Sequence, residues 1–280
     1  MKYRHSFHAG NFADVHKHVT LLALIAALER KDKGFLYLDT HAGRGSYDLS
    51  SPGAEAAAGV GRFLAAAHVA PELTHYAQLL AQFRAAPGRR HLYPGSPLIA
   101  AQALRPQDRA LFIEREGSEA HALAQALADA AGARLRIERG DGFEWLRAAL
   151  PPRERRGLTL IDPPYEERED FTRVTAALGQ GLRRFPTGVF AAWYPIKEAR
   201  SSGAWLGACA RALSAGALVS ELWLYPPDSS VALNGSGLLI VNPPWQVRER
   251  MQLWLPELLG CLGGGTGAGT AVRMLSESVT

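Results

Sequence analysis

The sequence predicts an α/β fold: a mostly parallel sheet with helices on both faces. Short apolar runs alternate with helical stretches along most of the chain, the pattern of successive strand–helix–strand units. The runs are continuous rather than alternately apolar and polar, as expected for strands buried on both sides. The first four end in, or just before, a carboxylate and a turn.

The elements follow in order. Residues 12–31 read as a helix, and the apolar run Phe35 to Leu38 ends at Asp39 and a glycine-rich turn. Leu111 to Ile113 ends at Glu114, Leu135 to Ile137 precedes Gly140-Asp141-Gly142, and Leu158 to Ile161 ends at Asp162. Val189 to Trp193, Leu218 to Tyr225 and Leu238 to Val241 complete the strands. Helices are expected over 118–130, 143–150, 171–185, 197–213 and 246–259. The last two strands are joined by a stretch holding Pro226, Pro227, Asn234 and Gly235. No helix fits there, which predicts an antiparallel last strand. Between Gly45 and Leu111 the chain is rich in Ala and Leu, with helical stretches at 60–70 and 73–85. An unstructured loop of that length would be unusual, so residues 46–95 are expected to form a small helical insertion within a single domain spanning 1–280. The glycine-rich tail after Cys261 reads as a loose turn before a short final segment.

Composition narrows the function classes. The longest apolar run, Val19 to Leu28, falls well short of the roughly 20 residues a spanning helix needs. Asp14 lies upstream of it, and Glu29 to Lys33 follow without a small-residue cleavage site, so a signal peptide is not expected. Cys209 and Cys261 are the only cysteines, which excludes a disulfide scaffold and fits a cytoplasmic protein. Lys plus Arg total 31 against 27 for Asp plus Glu, a net charge of +4 that permits an anionic partner without demanding one.

In open parallel sheets ligands bind outside the carboxyl ends of the strands. Asp39, Glu114, Asp141 and Asp162 all fall there. The first turn, Asp39-Thr40-His41-Ala42-Gly43-Arg44-Gly45, lets backbone pass close to a ligand but lacks the third glycine of a dinucleotide fingerprint. A carboxylate at Glu114 can accept both hydroxyls of a ribose, and one at Asp141 an adenine amine. Those acceptors without a pyrophosphate cradle suggest an adenosyl ligand such as S-adenosylmethionine. The most specific motif is Asp162-Pro163-Pro164-Tyr165 after the fourth strand. The prolines stiffen the turn, so Asp162 and the Pro163 carbonyl can both accept hydrogen bonds from one exocyclic amine while Tyr165 lies against a flat base. The tetrapeptide resembles the motif of amino-methyltransferases acting on adenine N6 or cytosine N4. Asn242-Pro243-Pro244-Trp245 is similar, but it follows the seventh strand and is assigned to a rigid structural turn. Four histidines cluster near the amino terminus. His16 and His18 point to different faces of one helix, so no metal site is expected; a cationic, aromatic arm touching cofactor or nucleic acid is.

Tyr3 to Val15, Leu38 to Gly43, Tyr93 to Pro97, Ile161 to Glu166 and Asn242 to Trp245 together resemble the RlmJ family, with the blocks in the same order. The resemblance implies a class I methyltransferase (Rossmann-like) fold with a helical insertion after the first strand. It implies S-adenosylmethionine-dependent methylation of adenine N6 at one site in domain V of 23S ribosomal RNA, without a metal. It further implies cofactor contacts at Lys17, His18, His41, Ser96, Glu114, Asp141 and Gly142, beside Asp39 and Gly43 of the first turn. Asp162 takes the catalytic role with Pro163 and Tyr165, and Tyr3 and Arg4 lie near the target base. A monomer is expected. The rival readings are a DNA adenine-N6 methyltransferase and a non-catalytic RNA-binding protein.

Overall fold

The computed structural model describes residues 8–50, 54–130, 132–167, 169–226, 229 and 233–275. Helix α1 (Phe12–Glu29) leads into β1 (Leu36–Asp39). There follow β2 (Ser46–Asp48), α2 (Ala54–Ala56), a π-turn (Ala57–Gly61), α3 (Arg62–Ala65), α4 (Pro71–Ala85) and β3 (Leu92–Pro94). The alternation then runs through α5 (Ser96–Ala103), β4 (Arg109–Glu114), α6 (Gly117–Ala126), β5 (Arg134–Arg139), α7 (Gly142–Ala149), β6 (Gly157–Ile161), α8 (Glu169–Arg184) and β7 (Val189–Ile196). It closes with α9 (Ala199–Ala212), β8 (Ala217–Trp223), β9 (Gly235–Val241), α10 (Val247–Leu262) and β10 (Gly269–Leu275).

Eight strands form one sheet in the order β10-β8-β9-β7-β6-β1-β4-β5. From β5 to β7 the neighbours are parallel. β9 is antiparallel to both β7 and β8, as the helix-free connection predicted, and β10 is antiparallel to β8. Successive parallel strands run outward from β1 to β4 and β5, then return to β6 on its other side. The order therefore reverses between β1 and β6, which places the ligand crevice of such a sheet at Asp39 and Asp162.

Side chains alternate between two cores, as the strand pleat requires. Phe35 and Tyr37 point to a core shared with α1, α4, α5 and α10. Leu36 and Leu38 point to one shared with α7, α8 and α9. α1 is buried almost continuously from Phe12 to Leu22 because it lies between the sheet and the helices of residues 54–103. Asn11 caps it by accepting from the Asp14 amide at 3.0 Å.

Three elements differ from the sequence reading. The stretch expected to be wholly helical also contains the β2–β3 pair, which joins its two ends. α5 appears where no element was assigned, because Gly95-Ser96-Pro97 opens a helix with proline in its first turn. The short segment expected after the glycine-rich turn is a strand, β10, whose partly exposed edge position gave no apolar signal.

Candidate active site

The topology gathers four strand-end carboxylates on one rim, since β5, β4, β1 and β6 are neighbours. Asp39 ends β1 fully buried. Its Oδ2 accepts from Ser96 Oγ at 2.7 Å and Tyr37 OH at 3.0 Å, and its Oδ1 from the His41 amide at 3.3 Å. Burial pushes its pKa up to about 6, against the pull of those donors. Ser96 arrives at the head of α5, held beside the first turn by the Gly95 amide, which donates to the Gly45 carbonyl at 2.7 Å.

The first turn closes onto Glu114. The Gly43 amide donates to Glu114 Oε2 at 2.7 Å, and the Glu116 amide to Oε1 at 2.8 Å. Burial raises the Glu114 pKa, and these amides oppose it. The Arg115 amide bears on the same carboxylate, which keeps acceptor capacity for a ligand hydroxyl. Gly43 has φ +64, and a Cβ there would lie 2.7 Å from Tyr47 OH, so this turn requires glycine. His41 bonds Thr40 Oγ1 through Nδ1 at 2.8 Å and meets Phe143 edge-on at 5.0 Å. Burial pulls its pKa down to about 4, against Asp162 and Asp141.

Asp141 is more committed than the sequence suggested. Its Oδ1 caps α7 by accepting from the Phe143 and Glu144 amides, and its Oδ2 takes Arg173 at 2.7 Å. Burial would raise its pKa, but these partners prevail and hold it below the usual value. Gly142 has a packing reason of its own: a Cβ would sit 1.9 Å from the Thr40 carbonyl oxygen.

Asp162 sits beside Asp39 at the end of β6. Its Oδ2 is 2.6 Å from Lys17 Nζ, and the same ammonium lies 2.8 Å from Asp14 Oδ1. The lysine is 5% exposed. Burial alone would lower its pKa; the two carboxylates raise it well above the ordinary lysine value. Asp14 was not found by sequence reasoning, although its spacing of three from Lys17 on a predicted helix was legible. The reach to Asp162 was not.

The structure corrects the reading of Tyr165 as a platform for a base. The residue adopts φ 51 and is 7% exposed. Its hydroxyl donates to the Trp193 carbonyl, and its ring packs on Phe171 at 4.6 Å and Trp193 at 5.7 Å. The left-handed turn after two prolines carries the ring down into the core. Trp193, only half-buried, is the aromatic left beside the carboxylate, with Lys17 Nζ 5.7 Å from its ring. Its indole N–H donates to Ser236 Oγ at 2.9 Å, which also meets His16 Nδ1 at 3.0 Å.

From His8 onward the amino-terminal block is folded in rather than extended as an arm. His16 spans Ser236 and Ser220 fully buried, its pKa lowered to about 3 by burial. His18 is 1% exposed and bonds Tyr93 OH through Nδ1 at 2.8 Å. The Gly10 amide donates to Asp14 Oδ2, and the Gly10 carbonyl accepts from Val60, which locks the block under the π-turn. Tyr3 and Arg4 lie outside the described residues.

Asn242-Pro243-Pro244-Trp245 lies elsewhere. β9 runs against β7, so its carboxyl end falls at the opposite end of the sheet from Asp162. The Asn242 amide donates to the Pro186 and Gly188 carbonyls, at 2.8 Å each, as a clamp between loops.

The profile of "Ribosomal RNA large subunit methyltransferase D, RlmJ" matches residues 32–274. The chain is 39% identical to the Escherichia coli (strain K12) "Ribosomal RNA large subunit methyltransferase J", over 99% of this chain and 100% of that one. It is 38% identical, with the same coverage, to the protein of that description from Haemophilus influenzae. A crystal structure of a Legionella pneumophila protein superposes with a TM-score of 0.86 at 33% identity, covering 97% of this chain and 99% of that one. With the profile spanning most of the chain and both relatives aligned end to end, the chain belongs to the RlmJ family of ribosomal RNA large-subunit methyltransferases.

Proposed function

We propose that the chain transfers the methyl group of S-adenosylmethionine to N6 of one adenine in domain V of 23S ribosomal RNA, giving N6-methyladenosine. The observation that carries the reading is the carboxylate of Asp162 at the switch point of the sheet, with Oδ2 clamped by a buried lysine. Residues 46–95 are read as an insertion in a single methyltransferase domain.

The rim suits an adenosyl cofactor by its donor set. Glu114 offers acceptors for a ribose diol, Gly43 and Gly142 let backbone approach closely, and Phe143 offers an aromatic face. An adenine amine at Asp141 has to share Oδ2 with Arg173. Lys17, His18, Asp39, His41, Ser96 and Asp162 complete the proposed cofactor set, with His18 acting from below through Tyr93. When bound, the cofactor supplies an electrophilic methyl group on a sulfonium.

The chain's own residues then position the acceptor. The Lys17 ammonium takes Asp162 Oδ2, leaving Oδ1 and the Pro163 carbonyl to accept from the exocyclic amine of adenine. An aromatic amine is a poor nucleophile because its lone pair is delocalised into the ring. Two acceptors placed around it favour pyramidalisation and align the lone pair with the methyl carbon. With the cofactor bound at the rim, its sulfonium would supply the methyl group, while Asp162 Oδ1 and the Pro163 carbonyl would hold the amine protons and one of them would pass by way of Asp162 to water. Most of the acceleration comes from holding the reactants in line. Tyr165 fixes the turn from beneath, and Trp193 is the ring available to the base. Paired adenine hides N6, so the target has to be unpaired or flipped out.

Asp162→Asn replaces one acceptor by a donor without changing shape. Methylation of deproteinised 23S ribosomal RNA, read as N6-methyladenosine by mass spectrometry, should fall at least ~100-fold. Calorimetry should find S-adenosylmethionine affinity reduced far less than turnover. Near-normal turnover by the variant would remove Asp162 from the mechanism.

A further inference from the structure

The Asn242-Pro243-Pro244-Trp245 turn has no place in the proposed chemistry, yet the backbone holds it firmly. Asn242 and Gln246 both adopt positive φ, 52° and 66°, and Asn242 is clamped by two carbonyls. What this rigid turn presents is Trp245, 78% exposed. Tryptophan is highly buried on average, so a ring this exposed on a rigid turn is unusual. Arg30 reaches back to it: its guanidinium lies 6.0 Å from the ring centroid and 3.2 Å from Gln246 Oε1. The ring is thus fixed beside a cation.

The surroundings are basic. Lys31 and Lys33 are exposed and follow Arg30 in the loop before β1. Asp32, between them, is the opposing charge in that loop. The carbonyls at the end of α1, which would repel an anion, are already covered. Arg156 takes Leu28 O and Lys33 O, and Arg105 takes Glu29 O and Lys31 O. This face is distant from the catalytic rim. Val241 is level with Phe190 and Thr159, so Asp162 lies three residues of strand rise further on, about 10 Å, while Trp245 continues the other way.

We infer that Trp245, with Arg30, Lys31 and Lys33, is a second RNA-binding surface that stacks an unpaired base and holds its flanking phosphates. The RNA is the one whose target adenine faces Asp162, so the inference rests on the proposed function. Stacking on an exposed aromatic ring with cations alongside is the usual chemistry of single-stranded contacts. A short RNA filling only the catalytic rim does not reach this face; a long folded RNA does.

The test uses the full chain with two unmodified RNAs: a transcript of 23S ribosomal RNA domain V, and a short hairpin carrying the target adenine. Trp245→Ala should weaken binding of the transcript about tenfold, within the range of one lost stacking contact. Trp245→Phe should bind close to wild type, and methylation of the hairpin should be unchanged in both. Lys31→Ala with Lys33→Ala should reduce the slope of log affinity against log salt by about 1.4, the value for two phosphate contacts on a single strand. The inference is overturned if Trp245→Ala binds the transcript like wild type. It is also overturned if hairpin methylation falls equally, or if the variant changes only the sedimentation mass, which would mean that a second copy covers the ring. The binding arm does not depend on turnover. Failure of the wild-type protein to methylate either RNA would therefore count against the proposed function, and unchanged binding against this surface.

Discussion

Replacing Lys17 by Met keeps most of the side chain's volume and removes the charge between Asp14 and Asp162. At an effective dielectric near 20, a unit pair at these separations attracts by about 6 kcal/mol. The ammonium is 2.6 Å from one carboxylate and 2.8 Å from the other, so two such terms are lost. Desolvation of a cation with 6% side-chain exposure, and repulsion between the two acids, offset most of that gain in the wild type. Removing one member of a buried ionic cluster typically costs about 3–5 kcal/mol, because the remaining charge is left uncompensated. Lys17→Met should therefore lose about that much stability, measured as a shift in urea midpoint at unchanged slope. Asp14→Asn is the second arm of the cycle. It retains an oxygen for the Gly10 amide, which donates to Asp14 at 2.9 Å. In that background Lys17→Met should cost only about 1–2 kcal/mol, since one carboxylate is already neutral. Equal costs in both backgrounds would show that Lys17 acts through packing of its stem, and the charge argument for Asp162 would fall with it.

Three further outcomes follow from the geometry. Glu114→Ala removes acceptors for a ribose diol and should weaken S-adenosylmethionine binding roughly 10–150-fold, the range for one charge-assisted bond. Glu114→Gln should lose less, and unchanged affinity of the alanine variant by calorimetry would place the ribose elsewhere. Asp39 has its pKa raised from 3.8 to about 6, so between those values the unfolded chain releases its proton before the folded one. Stability from this group is therefore full below about 4 and is lost as pH rises through about 6, a change on the order of 3 kcal/mol. Asp39→Asn should lack that slope, and a flat wild-type-minus-mutant curve from urea titrations at several pH values would contradict it. Asn242→Ala loses two hydrogen bonds and leaves at φ 52 a residue that tolerates the left-handed region less well than asparagine, costing about 2–3 kcal/mol. Asn242→Gly should regain about 1 kcal/mol by relieving the backbone alone. Activity per folded molecule should stay at wild-type level in both, and an inactive, fully folded alanine variant would mean the two proline turns had been assigned the wrong way round.

The parallel core was legible because each central strand is a continuous apolar run that stops at an acid. Leu38-Asp39, Ile113-Glu114 and Ile161-Asp162 mark the carboxyl ends of neighbouring strands directly. β10 was not legible: it is half exposed along its length and starts in a glycine-rich stretch, so neither apolar period nor continuity marks it. The contacts of the candidate site were less accessible than its members. Lys17 reaches Asp162 across 145 positions, and His16 reaches Ser220 and Ser236 across 204 and 220. No local pattern encodes such pairings. Tyr165 fails for a different reason. The tetrapeptide gives the chemistry of the turn but not its final φ, and the sign of that angle decides whether the ring meets solvent or the core.

The two proline turns make the same point about direction. Asp162-Pro163-Pro164-Tyr165 and Asn242-Pro243-Pro244-Trp245 have nearly the same chemistry, and each ends a fully buried strand. β6 runs parallel to β1, so its turn opens at the ligand rim beside Asp39. β9 runs antiparallel to β7, so its turn opens among the loops that enter the sheet. Their aromatic residues then take opposite fates: Tyr165 is 7% exposed and Trp245 78%. The first turn has Lys17 to fix the charge of its acid, whereas in the second the neutral Asn242 uses its amide to tie two loop carbonyls. An aspartate at 242 could not donate those bonds, and its carboxylate would face the two carbonyl oxygens. Strand polarity thus decides which of two similar turns opens beside Asp39 at the carboxyl ends of the parallel strands, and the residue at its head is the one its end of the sheet can use.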